Sequence, residues 1–169
     1  MKNLIIVTVL LLTVSALSFA QPNVSATATA TGTIISPIAI AKNVDMNFGN
    51  IVAGAAIGTV VLTPAGVRSK TGGAFLPSIL PGTVTAASFT VTGATGYTYA
   101  ITLPGAATTV TSGANTMTVD TWTSTPTGTG TLAGGTQTLT VGGTLHVGAN
   151  QVAGTYVSGT AFTVTVAYN

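Results

Sequence analysis

The chain has 169 residues, room for one domain or two small ones on the usual scale of about 150 residues each. Charged residues make up 4%, against roughly 25% in ordinary soluble domains, while hydrophobic residues stand at 46%, which excludes disorder. The net charge of +2 comes from four cations set against two anions, with no basic cluster, so nucleic acid is excluded as a partner.

Lys2 precedes an apolar run from Leu4 to Leu12, then Thr13 to Leu17, then Ser18, Phe19 and Ala20. A charged start, a short apolar stretch and small residues before Gln21 predict a secretory signal peptide over residues 1–20. As a membrane span, the 18 uncharged residues from Asn3 to Ala20 would sit at the lower limit of length, and Thr8, Thr13, Ser15 and Ser18 dilute them. Cleavage would leave no stable membrane span. The chain has no cysteine, so neither a lipidated cysteine nor a disulfide can serve it, and the core must hold the fold unaided.

After the signal, apolar residues alternate with Thr and Ser from end to end, broken by Gly and Pro. Strands are expected at Ile34–Ala41, Val44–Val52, Thr59–Thr63, Ser88–Thr92, Tyr97–Leu103, Thr116–Thr123 and Thr138–Val147. In the last run, Phe162, Val164, Val166 and Tyr168 share the phase that faces a core. Gly72-Gly73, Pro81-Gly82, Gly93, Pro104-Gly105, Gly134-Gly135 and Gly142-Gly143 read as turns. Arg68 and Lys70, just before Gly72-Gly73, read as surface charges at a solvated hairpin tip. Strands this short, with turns every 8–12 residues, predict an all-β antiparallel sandwich over residues 36–169. Ten aromatics are too few for the two girdles of a membrane barrel.

The inventory carries no catalytic template. His146 is the one histidine, Asp45 and Asp120 are the only carboxylates, and no serine sits in a nucleophile elbow. Leu145-His146-Val147 places the histidine on the outward phase of a strand. Metal sites need more acidic, His or Cys donors than the chain holds, so catalytic, cofactor and metal sites are all expected to be absent. Asp45, Asn47 and Asn50 around Phe48-Gly49 form a polar cluster that serves either a ligand or turn chemistry.

Residues 21–35 form an extended arm. One phase holds Val24, Ala26, Ala28, Ala30, Gly32 and Ile34; the other holds Ser25, Thr27, Thr29, Thr31 and Thr33. Such an arm can pair in cis as a first strand, or in trans with the edge of another subunit, and both uses want the same alternation. Val24, Ala26, Ala28, Ala30 and Ile34 are the candidate strand-donor face.

Asn47-Phe48-Gly49-Asn50, Ala87–Gly93, Tyr99–Pro104, Val141–Leu145 and Ala153–Tyr156 leading to Phe162–Tyr168 occur in that order. With this combination the chain resembles the bacterial domain of unknown function 4402, from about Ala26 to Asn169. The closing Gly154–Tyr168 pattern is more distantly similar to spore coat U-type subunits of pili assembled by a chaperone and an usher. The resemblance implies an exported, immunoglobulin-like β-sandwich of a Gram-negative bacterium, used in a surface or fimbria-like assembly. Its implied partners are copies of itself or related subunits, a periplasmic chaperone and an outer-membrane usher. Spore coat U-type subunits often carry cysteines, and this chain has none. A rival from another class is a monomeric secreted module binding glycans or surface polymers, with Tyr97, Tyr99 and Trp122 as its aromatic platform. A hydrolase is the third and least supported reading.

Overall fold

Alternating aliphatic and hydroxyl side chains, rich in β-branched Val and Thr, satisfy their backbone groups by pairing strand with strand. The structure, a computed structural model, describes residues 22–169, so the signal peptide expected over residues 1–20 lies outside the described residues. Among the described residues there are thirteen strands: β1 Ala39–Val44, β2 Asn47–Phe48, β3 Val52–Leu62, β4 Arg68–Phe75, β5 Val84–Thr85, β6 Ala87–Thr92, β7 Thr98–Thr102, β8 Thr108–Ser112, β9 Asn115–Thr125, β10 Thr129–Thr131, β11 Thr136–Val147, β12 Val157–Ser158 and β13 Thr165–Tyr168. Every pairing between them is antiparallel, and the architecture is an all-β sandwich.

One strand organises the large sheet. β11 pairs with β9 along one edge; along the other, Thr136–Val141 pair with β6 and Gly143–Val147 pair with β3. β1 flanks β6, β4 flanks β3, and β8 with β12 extend beyond β9, giving eight strands. A second sheet holds three, in the order β10-β7-β13, and β2 pairs with β5 alone.

The apolar phases meet in two clusters. Ala87 and Val91 of β6 and Leu139 and Val141 of β11 pack against Tyr99, Leu132 and Val164 from the three-stranded side. Val60, Ala74, Val119, Leu145 and Val147 form the other cluster, where Met46, Phe48, Ile51 and Ala53, from the loops and the short β2 between β1 and β3 and from the start of β3, supply much of the cover. Inside the first cluster Tyr99 is fully enclosed, and its hydroxyl donates to Gln137 Oε1 at 2.9 Å. The same oxygen accepts the Thr131 amide at 2.8 Å, so neither polar side chain is left unpaired.

Ile35–Asn169 form one unit and the preceding residues belong to another. In the described part of that other unit, residues 22–34, no strand occurs and every residue is exposed.

The expected strands at Ser88, Tyr97, Thr116 and Thr138 correspond to β6, β7, β9 and β11. Several features differ, and the strand expected at Val44–Val52 is broken into the end of β1, the two-residue β2 and the start of β3. The first strand begins at Ala39 rather than Ile34, and the terminal one at Thr165, although Phe162 and Val164 keep the inward phase. Gly72-Gly73 and Gly142-Gly143 are not turns but lie within β4 and β11, beside register shifts. A Cβ on Gly73 would collide with the Ala56 carbonyl, and one on Gly142 with that of Leu62, so these glycines serve close backbone approach. Arg68 and Lys70 therefore sit in a strand, and the hairpin reverses earlier, where the Gly66 amide donates to Thr63 O at 2.9 Å.

Candidate functional site

An eight-stranded sheet cannot be covered by a three-stranded one. The smaller sheet lies over β6 and the first half of β11, while loops roof the second half. Two cavities remain over this loop-covered region, of about 600 Å³ and about 430 Å³. Both are lined by Phe48, Met117, Leu145 and Tyr156, so they share a floor. The smaller extends over Phe89, Val119 and Trp122, and its charged lining residues are Lys42 and Asp45, which neutralise each other at 2.6 Å. The lining of the larger includes no charged residue. A site of this chemistry favours an uncharged, partly apolar occupant over an ion.

Its walls are held by polar contacts. The Asn47 side-chain oxygen accepts the Gly49 amide at 2.8 Å, Asn50 Nδ2 donates to Leu80 O at 3.0 Å, and the Asn50 amide donates to Pro81 O at 2.7 Å. The turn chemistry foreseen for the cluster is present at Asn47, whereas the Asn50 side chain bridges to a distant loop, and both residues line the larger cavity. Arg68 departs from the expected surface charge: its guanidinium donates to the carbonyls of Phe48, Asn50 and Pro81, joining two loops. Opposite, Gln151 Nε2 donates to Thr116 O at 3.1 Å and to the Tyr156 hydroxyl at 2.8 Å. Sequence reasoning missed Gln151 and Tyr156 as wall residues and Arg68 as the brace of the loops that form the wall. Their one available signal was rarity, since Arg68 is the only arginine and Gln151 one of three glutamines.

The anticipated site residues are scattered. Val24, Ala26, Ala28, Ala30 and Ile34 are exposed, Val24 at 93% and Ile34 at 100%. Tyr99 is fully buried and offers no ring face to solvent, and burial raises its phenol pKa above the usual range. Tyr97 is 45% exposed, with its ring 5.7 Å from that of Tyr168. Trp122 is half-buried in the smaller cavity, stacked on Phe162 at 4.5 Å, with Nε1 donating to Ala106 O at 3.3 Å. These three rings share no common platform.

His146 and Asp120, 26 positions apart, are brought together by the pairing of β9 and β11. His146 Nε2 lies 2.8 Å from Asp120 Oδ1, and Thr121 Oγ1 donates to the same oxygen at 2.9 Å. The histidine contact, then the threonine one, lowers the Asp120 pKa below the usual carboxylate range. The pair is exposed, on the outward phase of β11 beside buried Leu145 and Val147, and lines neither cavity. Among the described residues no group of three or more His, Cys, Asp or Glu could hold a metal. No helix there is long and apolar enough to cross a membrane.

Comparison with known proteins gives one family, described as Domain of unknown function (DUF4402), which matches residues 38–168. No curated protein matches, and no solved structure does.

Proposed function

Because the chain belongs to the DUF4402 family, whose description assigns no activity, we propose its function from the two cavities and the sheet edge beside them. The protein is a non-enzymatic subunit of an exported bacterial surface or fimbria-like assembly, and neighbouring subunits join by strand addition. The observation that carries this reading is the incomplete cover of the large sheet, with apolar Met117, Val119 and Leu145 flooring open cavities. The edge of β1 adds to it. Lys42 and Val44 line the smaller cavity, and β1 pairs with β6 on one side only, leaving a backbone ladder for an incoming strand.

The complementary element is residues 24–34 of another copy, uncharged and exposed, with Val24, Ala26, Ala28, Ala30 and Ile34 on one phase. Small side chains suit shallow cavities, and a neutral arm meets no unpaired charge there. The low charge of the chain supports assembly too, because little repulsion keeps copies apart. On this reading a periplasmic chaperone and an outer-membrane usher would guard and deliver the subunit, in keeping with the resemblance of the closing Gly154–Tyr168 pattern.

The test is light scattering on the chain from Gln21, refolded at high concentration so that arms and open grooves meet. High-mass species are expected, and they should vanish in a chain beginning at Ile35 and in an Ala28→Asp, Ala30→Asp double variant. Both substituted alanines are exposed, so the fold should survive the change. A monomer at every concentration, with the arm intact, would refute strand donation.

A further inference from the structure

The two cavities share a floor, and the segment of residues 148–156 between β11 and β12 walls the larger one and reaches the smaller at its end. Tyr156 lines both cavities, while Gln151 to Thr155 wall only the larger. The segment belongs to no strand. Val152, Ala153, Gly154 and Thr155 are exposed, so apolar burial contributes little to holding it down.

Polar contacts hold it instead. The Asn150 amide donates to Gly54 O at 2.8 Å, and Gln151 Nε2 spans Thr116 O and the Tyr156 hydroxyl. The Tyr156 hydroxyl in turn donates to Val152 O at 2.7 Å, closing a small ring of contacts within the segment. Bonds of this kind are weak individually, because water replaces each one when it breaks. Two such bonds tie the segment to β3 and β9 and two close it on itself, and so small a set of ties is the pattern of a strap rather than a wall.

We infer that residues 148–156 form a strap that lifts off the shared floor and merges the two cavities into one groove, with the bond from Gln151 to the Thr116 carbonyl as its latch. Naming a donated strand as the occupant rests on the function proposed above; the opening of the strap does not. Closed, the strap offers an incoming segment two short cavities. Open, it exposes a continuous floor through Phe48, Met117 and Leu145 to Phe89 and Val119. The latch thereby sets the rate of admission, and the assembled state would hold the strap open.

A reversible lock tests this directly, since the chain has no cysteine of its own. A Cβ on Gly154 would lie 3.2 Å from Ser112 Cβ, a few tenths of an ångström inside the spacing of a disulfide, so with a small outward shift a Ser112→Cys, Gly154→Cys variant can pin the strap to the end of β8. Association of a fluorescein-labelled peptide of residues 22–35 is followed with the full mature chain, oxidised and reduced. Oxidation should slow association at least about ten-fold and reduction should restore it. Gln151→Ala, which removes the bond to the Thr116 carbonyl, should speed it roughly ten-fold.

Equal rates in the two redox states, or a Gln151→Ala variant that binds at the wild-type rate, would overturn the strap. If the peptide binds none of the proteins, strand donation fails, and entry of anilinonaphthalene sulfonate decides the strap alone. Dye entry impeded only by the closed disulfide upholds it; dye entry indifferent to the disulfide overturns it.

Discussion

Replacing Arg68 by alanine should cost about 2.5 kcal/mol, far more than a surface cation warrants. Away from special contacts a surface substitution stays within about 0.5 kcal/mol. Arg68, however, donates to the Phe48 carbonyl, to Asn50 O at 3.0 Å and to Pro81 O at 3.4 Å, tying the Asn47–Asn50 turn to the Leu80–Gly82 loop. A hydrogen bond from a charged donor contributes about 1.5–3 kcal/mol. We count the part-buried bond to Phe48 near the bottom of that range and discount the two exposed ones to about 0.5 kcal/mol each for solvent screening. Urea unfolding of the mature chain should show a lower midpoint with an unchanged slope, and melting should fall by roughly 8–10 °C.

Arg68→Lys keeps the charge without the planar fork, so it should recover less than half of the loss. The acceptors are neutral carbonyls, and the loss should therefore persist in concentrated salt, whereas any contribution of the exposed Lys42–Asp45 pair is screened away. A loss below about 0.5 kcal/mol, full rescue by lysine, or disappearance in salt would each refute the assignment.

Two further perturbations probe titrating groups. Tyr99→Phe leaves Gln137 Oε1 with the Thr131 amide as its one remaining partner, and should cost about 1–2 kcal/mol by denaturant melts. The Tyr99 phenol, raised by burial, should resist ionisation in ultraviolet titration until the fold opens, so the stability it confers is present below about pH 10 and lost as the pH climbs through the raised value. Asp120 has the opposite sign. Its lowered pKa means that the folded chain binds fewer protons, so its contribution is present above about pH 4 and fades as acid titrates the folded carboxyl. The stability gap between wild type and Asp120→Asn should be flat near neutrality and shrink in acid; a gap unchanged down to pH 2 would remove the His146 contact as its cause.

What could be read from residues alone was the class of structure and the phase of its strands. Alternation between two faces is a local property, so Leu139, Val141, Leu145 and Val147 could be assigned inward and His146 outward before any partner was known. Which residues start a strand, or lie in one at all, depends on the neighbour across the ladder. Gly72-Gly73 and Gly142-Gly143 therefore resembled turns until β3 and the Leu62–Pro64 backbone were seen lying against them. Arg68 looked like a free charge because its three acceptors are backbone carbonyls, which no side-chain pattern marks.

The cavities were decided only by tertiary structure. They exist because β11 pairs with β6 along one half and β3 along the other, while the three-stranded sheet covers only the first half. That mismatch is a sum over long-range pairings. Each segment obeys its own alternation, and no single segment records that the sheet it joins will be larger than the sheet that covers it.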